Sequence, residues 1–184
     1  MGAALILIDI QSGFDDPVWG ARNNQGAESQ AGTLLAAWRA RSWPIFHIRH
    51  VSVQPGSPLV GPGVAFKPEV APLPGEPILE KSVNSAFIDT NLEERLHADG
   101  LTEVVICGLT TPHCVSTTTR MAANLGFSVT LAHDACAAFT SNADASWNGG
   151  SALSADDIHS AAVSHLHGEF ATARSAAQII AGLP

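Results

Sequence analysis

The chain has 184 residues, of which 46% are hydrophobic, and its 17 acidic and 9 basic residues give a net charge of −8. This length and composition predict one packed domain over residues 1–184 and exclude a disordered chain. Because the basic residues form no cluster, we expect neither nucleic acid nor an anionic membrane as a partner. A small-molecule substrate is the expected partner.

The N-terminus and the cysteines indicate the compartment. The first ten residues are apolar but too short to span a membrane, and they lack the basic start and cleavage site of a secretory signal. Three widely separated cysteines form neither a disulfide framework nor a structural zinc pair. We therefore expect a cytoplasmic protein with reduced thiols.

The first predicted strand ends in a carboxylate. Residues 3–10 are a nearly continuous apolar run, which is typical of a strand covered on both faces in a parallel sheet. Asp9 is its one charge, and ligands of open α/β sheets bind at the carboxyl ends of strands. Asp9 is therefore a candidate for catalysis, with turn capping as the alternative role.

A polar loop follows, at residues 15–25, with Phe14 and Trp19 as its large apolar groups. These two rings either line a pocket or pack against the body of the domain. A helix is predicted over residues 28–41 and a strand within residues 44–51.

A long irregular segment, residues 54–77, contains seven prolines and four glycines. Loops of this length inside compact domains are commonly functional, although a surface excursion or an oligomer arm fits equally well. A short strand over residues 77–82 follows, and Lys81 lies at its end.

The second half continues as alternating helices and strands, and the alternation predicts a doubly wound α/β sheet. The predicted elements are a helix with a capping box of Thr90 and Glu93, ended by Gly100; a strand over residues 103–108; a helix over residues 112–125 capped by Thr111; a strand over residues 127–132; a helix boxed by Ser154 and Asp157 and running to His167; an edge strand over residues 169–173; and a terminal helix over residues 176–183.

Cys114 is the candidate nucleophile. It is predicted in the first turn of a helix, where free N–H groups and the helix dipole favour a thiolate. Asp9 and Lys81 end other strands at the same rim of the sheet. An ammonium group lowers the pKa of a nearby thiol, and a carboxylate accepts its proton, so the three side chains form a coherent set. The alternative role for a lone cysteine is a small buried apolar group.

Three motifs resemble the isochorismatase-like cysteine hydrolases, a family that includes nicotinamidases and carbamoyl-group amidases. They are Leu7-Ile8-Asp9-Ile10-Gln11, the segment from Glu80 to Phe87, and the segment from Gly108 to Val115 followed by Thr118-Thr119-Arg120. The resemblance covers nearly the whole chain. It implies a parallel sheet with helices on both faces, a three-layer α/β/α domain, and a catalytic triad of Asp9, Lys81 and Cys114.

The resemblance also implies details of the reaction. A cis peptide bond is expected between Leu109 and Thr110, with the backbone N–H groups of Thr110 and Cys114 as an oxyanion hole. The expected activity is cleavage of a small amide, lactam or carbamoyl C–N bond through a Cys114 thioester. The alternatives are vinyl-ether or ester hydrolysis on the same fold, or a noncatalytic binding protein. Family members usually form dimers or larger assemblies, so a homo-oligomer is expected.

No metal or other cofactor is expected. Nicotinamidases carry a metal site of an aspartate and histidines after the second strand, but the corresponding stretch here, residues 47–52, has no aspartate. His47 and His50 are three residues apart on a strand and therefore point to opposite faces, which makes a poor chelate.

The remaining candidates concern the pocket. The side chains of Phe14, Trp19, His113 and Phe139 suggest a partly aromatic, substrate-binding cavity, finished by residues 54–77 or by another subunit. His113 either bonds substrate or faces solvent or a neighbouring subunit. Cys107 is predicted to be core, and Cys136 either packs in the core, which its apolar neighbours favour, or approaches the pocket wall.

Overall fold

The computed structural model describes residues 2–184 and contains a six-stranded sheet in which every neighbouring pair is parallel. The strand order is β3-β2-β1-β4-β5-β6. The predicted doubly wound α/β class is thereby confirmed. The strands are β1 (Ala4–Ile8), β2 (Ile45–His50), β3 (Ile78–Lys81), β4 (Glu103–Leu109), β5 (Ser128–Ala137) and β6 (Thr172–Arg174).

Helices cover both faces of this sheet. They are α1 (Ala27–Ala40), α2 (Leu92–Ala98), α3 (Ser116–Asn124), α4 (Ala155–Leu166) and α5 (Ala176–Ala181). Given this strand order, the right-handed rule for parallel crossovers assigns α1 to one face and α2, α3 and α4 to the other. In agreement, α3 packs against α4, and α5 packs against α1. Because both faces are covered, all five residues of β1 are buried, which explains its continuous apolar sequence. None of the helices within residues 2–184 is long and apolar enough to cross a membrane.

The sheet has a topological switch point between β1 and β4. After β1 the chain winds outward to β2 and β3, and it then returns to β4 on the other side of β1. Ligand sites of open α/β sheets lie at the carboxyl ends of the strands around such a point. The two strands approach closely there, because a Cβ on Gly108, whose φ is +131°, would lie 2.0 Å from the carbonyl oxygen of Ile8.

Two predicted helix starts are wrong. The capping box of Thr90 and Glu93 is absent from the described chain: α2 begins after Asn91, and the Thr90 hydroxyl instead accepts from the Leu92 N–H and donates to the Ala86 carbonyl. The helix predicted over residues 112–125 begins as one turn of π-helix, Thr111–Val115, before α3.

The Thr111 side chain does not cap that segment. Its hydroxyl bonds the Nδ1 atom of His159 on α4 at 2.9 Å, so a tertiary contact has replaced the local cap. At α4 itself the local signal holds, because the Ser154 hydroxyl accepts from the Asp157 N–H at 3.1 Å.

The fifth strand is longer than predicted. The sequence predicted its end at Ala132, yet β5 continues to Ala137, with a register shift opposite residues 106–108 of β4. Pairing with the central strand β4 stabilises this extension despite its polar residues. Cys136 therefore lies inside the sheet, fully buried like Cys107, and has the packing role that its neighbours favoured.

Candidate active site

Asp9 follows β1 directly and is fully buried. Its backbone has φ +51°, a left-handed conformation that aspartate tolerates better than most residues and that turns the chain sharply at the strand end. The Oδ2 atom accepts a hydrogen bond from Lys81 Nζ at 2.6 Å. The Oδ1 atom is buried and has no hydrogen-bond partner among residues 2–184.

Lys81 is the last residue of β3, and its side chain has no solvent exposure. Its ammonium group has three acceptors: Asp9 Oδ2, His50 Nδ1 at 3.1 Å and the Val83 carbonyl at 3.1 Å. An ammonium has three N–H donors, so each is used. This full set of bonds offsets the cost of burying the charge and fixes the position of the Nζ atom.

Cys114 lies in the π-helical turn after β4. Its Sγ atom is 3.6 Å from Asn84 Oδ1, and Sγ, a carboxylate oxygen of Asp9 and a ring nitrogen of His50 lie within 4.8 Å of one another. The three predicted residues therefore meet at one point of the carboxyl edge. The peptide bond between Leu109 and Thr110 in the same turn is cis.

The resting thiol differs from the prediction. Burial, followed by the charge of Asp9, raises the pKa of Cys114 to about 12, and Lys81 opposes only part of this shift. The expectation of a thiolate favoured by a helix start is therefore wrong, because loss of solvent outweighs the favourable charges. Burial likewise raises the pKa of the Asp9 carboxyl, against the opposing effect of Lys81, which makes Asp9 a stronger base than an exposed aspartate.

His50 is a site residue that the sequence reasoning missed. It ends β2, and because β2 lies between β1 and β3, its ring comes next to both Asp9 and Lys81. Burial, with a smaller effect of Lys81, lowers the pKa of His50 to about 4, so its ring is neutral and Nδ1 can accept from the ammonium. The sequence alone does not reveal this proximity, because it depends on the order of the strands in the sheet.

Gln11 holds His50 in place. Its Nε2 donates to the His50 carbonyl at 3.0 Å, and its Oε1 accepts from the His50 N–H at 2.7 Å. This pair of bonds joins the segment after β1 to the last residue of β2. Gln11 is the final residue of the first motif, and the contact gives a structural reason for its presence there.

A cavity of about 580 Å³ opens above these side chains. Phe14, Trp19 and His113 line it, as predicted for these three, and burial lowers the pKa of His113. The other lining residues come mainly from the ends of β2 and β3, the turn that contains Cys114 and the long loop: His50, Ser52, Val53, Gln54, Ser57, Leu59, Ser82, Val83, Asn84, Thr110 and Cys114. Part of the 54–77 segment is thus cavity wall. Another cavity of similar volume, around Trp43 and Glu76, contains none of the predicted site residues.

Phe139 is not among the side chains that line the cavity. Its ring is 2% exposed and stacks behind Phe14 at 5.9 Å and beside Trp19 at 6.1 Å, measured between centroids. The guanidinium of Arg22 covers it at 5.4 Å. Phe139 therefore supports the aromatic wall from behind, since β5 extends far enough to carry it beneath the loop.

A buried ion cluster anchors the long loop. The Lys67 ammonium contacts Glu28 Oε1 on α1 at 2.8 Å and Asp15 at 2.7 Å, and Arg22 binds both oxygens of Glu28. The Lys67 backbone also donates to the Ile10 carbonyl. These contacts tie the later part of the loop to α1 and to the segment that follows Asp9.

Comparison with known proteins agrees with this arrangement. A profile described as the isochorismatase domain matches residues 3–178. The chain belongs to the isochorismatase family. This isochorismatase-family chain is 47% identical over 180 residues to the uncharacterized isochorismatase family protein YrdC of Bacillus subtilis (strain 168), covering 96% of this chain and 94% of that protein.

Two further relatives extend the comparison. A crystal structure of an isochorismatase-family protein from Chromobacterium violaceum superposes with a TM-score of 0.90 at 47% identity, covering 97% of this chain and 92% of that chain. The maleamate amidohydrolase of Pseudomonas putida is 31% identical over 142 residues, with 67% of each chain covered. The chain therefore shares its fold with an isochorismatase-family structure over almost its whole length, and it is similar in sequence to an amidohydrolase over two thirds of its length.

The metal site of nicotinamidases does not fit this isochorismatase-family chain. The His47 side chain is fully buried and its Nε2 contacts Glu76 at 2.8 Å, away from the cavity, whereas His50 faces Lys81. Of residues 47–52, which the structure describes in full, His50 alone brings an imidazole to the cavity, and the stretch has no carboxylate.

Proposed function

We propose that this isochorismatase-family protein is a cysteine hydrolase that cleaves the C–N bond of a small amide, lactam or carbamoyl compound. One observation carries the proposal: the buried Asp9–Lys81 pair lies beside the Cys114 thiol at a cavity. The relationship to a maleamate amidohydrolase supports the choice of an amide substrate. The cavity volume suits a small molecule, since ligand pockets span roughly 300–1,000 Å³.

In the first half-reaction the Cys114 sulfur attacks the substrate carbonyl carbon. Its thiol is protonated at rest, because its pKa is about 12. Asp9 accepts that proton as the S–C bond forms, and its raised pKa suits it to the role. The tetrahedral intermediate then collapses, the C–N bond breaks, and Asp9 returns the proton to the leaving amine, which leaves a thioester on Cys114.

Water completes the reaction. Asp9 takes a proton from a water molecule that attacks the thioester carbonyl, and the C–S bond breaks as the proton returns to the Cys114 sulfur. Lys81 keeps Asp9 oriented and balances its charge throughout, because Nζ holds Oδ2 and leaves Oδ1 free toward the thiol. The backbone N–H groups of Thr110 and Cys114 are proposed to bind the developing oxyanion.

The cavity wall selects the substrate. Phe14 and Trp19 offer apolar surface, and neutral His113 offers a hydrogen-bonding group at the same cavity. This combination favours a compact, uncharged substrate with an apolar portion beside its amide.

An ammonia-release screen over primary amides, carbamoyl compounds and lactams, the last followed by appearance of the ring-opened acid, tests the proposal. One class should be turned over, and Cys114→Ala should reduce that turnover at least about 10³-fold, because the nucleophile is removed. The variant should keep the wild-type melting temperature within a few degrees. Substantial residual turnover in Cys114→Ala would refute the assignment, and hydrolysis of esters or vinyl ethers alone would replace the amide reaction with the other chemistry of the fold.

A further inference from the structure

The catalytic edge also contains three donor atoms that suit a soft metal ion. A sulfur of Cys114, a ring nitrogen of His50 and a carboxylate oxygen of Asp9 lie within 4.8 Å of one another. We propose that these three residues bind one thiophilic divalent cation, represented by Zn²⁺, and that the bound cation blocks the nucleophile reversibly. The binding stands on this geometry, whereas the block of activity rests on the proposed function.

The orphaned oxygen of Asp9 is the second observation in favour of such a site. Asp9 is fully buried, Lys81 occupies its Oδ2 atom, and Oδ1 has no hydrogen-bond partner within the described part of the chain. A buried carboxylate oxygen without a partner is costly, and a cation is the strongest partner it can gain. The Cys114 thiol is near enough to lower the pKa of Asp9, so binding would give Oδ1 a closer and stronger partner than the resting fold supplies.

The donor set matches the chemistry of zinc. Sulfur, imidazole and carboxylate are its usual protein ligands, at about 2.3, 2.0–2.1 and 2.0–2.2 Å, and three protein ligands plus one water form a tetrahedral site. Those bond lengths imply ligand–ligand separations of about 3.4–3.6 Å. The largest separation here has to shorten by at most about 1.4 Å when the ion binds.

Proton and charge balance are satisfied without any redox step. The Cys114 S–H bond breaks, its proton leaves to solvent, and a sulfur–metal bond forms. The His50 ring is already neutral, as a metal ligand must be. The Lys81 ammonium opposes the cation, and if Nδ1 of His50 becomes the ligand, Lys81 gives up that acceptor and keeps Asp9 and the Val83 carbonyl.

This site differs from the nicotinamidase arrangement. It includes the nucleophile itself, so an occupied site has no free thiol to attack a carbonyl or to be alkylated. The cation would act as an inhibitor that a chelator removes, and the reaction proposed above needs no metal.

Titration of metal-free protein tests the proposal. ZnCl₂ is followed by calorimetry, and CdCl₂ by the thiolate-to-metal charge-transfer absorption, which reports a sulfur ligand directly. We expect one ion per chain, loss of the absorption in Cys114→Ala, and at least about tenfold weaker zinc binding in His50→Gln, since even outer-shell changes at metal sites cost 10–100-fold. His113→Gln, which alters a cavity histidine outside the donor set, should bind zinc like the wild type.

Lys81→Met tests the site without changing a metal ligand. Because it removes the positive charge beside the three ligands, this variant should bind zinc more tightly than the wild type. Absence of binding, zinc affinity unchanged in Cys114→Ala, or equal effects of His50→Gln and His113→Gln would each overturn the site. Neither titration depends on turnover, so a failed amide screen and a failed metal site give different results. Iodoacetamide labelling of Cys114 should slow when Zn²⁺ is present and recover after EDTA.

Discussion

The buried ion pair of Asp9 and Lys81 makes the most demanding prediction. Lys81→Met removes one charge of a pair whose two side chains have no solvent exposure and whose atoms are 2.6 Å apart. Loss of one partner from such a pair costs about 3–5 kcal/mol, because the other charge stays buried without compensation. Lys81→Met should therefore lower the free energy of unfolding by about this amount at pH 8.

The loss should shrink as the pH falls. Burial raises the pKa of Asp9, and without Lys81 nothing equivalent opposes that rise. Between the unfolded and the folded pKa the folded state binds more protons, so stability decreases with rising pH by about 1.4 kcal/mol per unit. The variant should consequently be less impaired near pH 5 than at pH 8, where Asp9 must be charged and unpaired or protonated at a cost.

Urea unfolding at several pH values between 5 and 8 measures this dependence. Glu80→Gln is the matched control on the same strand, since its carboxylate pairs with Arg49 at the surface and should contribute less than about 1 kcal/mol. The double variant Asp9→Asn with Lys81→Met should regain most of the loss, because no buried charge remains. A loss below about 1 kcal/mol at pH 8, or a double variant as unstable as the single one, would refute the reasoning.

Two other predictions concern the thiol and the sheet. Because the pKa of Cys114 is about 12, its alkylation rate should rise with pH from pH 7 to 9 without a plateau, and a plateau below pH 8 would contradict this. Gly108→Ala places a Cβ 2.0 Å from the Ile8 carbonyl oxygen and should lower the free energy of unfolding by more than about 3 kcal/mol. Gly126→Ala is the control: at φ +93°, with no atom within 4 Å of the added Cβ, it should lower the free energy of unfolding by about 1–2 kcal/mol. Urea midpoints compare the two glycine variants, and equal losses would rule out the close strand approach as the cause.

The fold could be predicted from local sequence patterns wherever tertiary contacts did not override them. The apolar run of β1 and the amphipathic helix α1 lie within a few residues of their predicted limits, because burial on both faces or on one face requires that pattern. Helix starts were less predictable. Thr111 has the chemistry of a cap, but His159, distant in sequence, binds its hydroxyl, and sequence alone does not reveal that contact.

The loops show the same limit. Prolines and glycines marked residues 54–77 as irregular, but only contacts made after folding, such as the packing of Leu59 with Phe14 and the hydrogen bond from the Ser52 N–H to the Leu59 carbonyl, place part of the segment at the cavity. Phe139 was predicted at the cavity because it follows a strand. The actual length of β5 and its stacking against Phe14 place the ring one layer behind.

The sequence by itself determined the fold class, a parallel α/β sheet, and the candidate residues: Asp9 and Lys81 at strand ends and Cys114 in the turn after a strand. It could do so because side-chain type and hydrophobic period are local properties. Tertiary structure decided the neighbours and the resting protonation states of these side chains. Strand order brought His50 next to Asp9 and Lys81, and burial left Cys114 as a protonated thiol instead of a thiolate. The physical reason is that a pKa depends on solvent access and on charges from other strands, and both arise only when the sheet assembles.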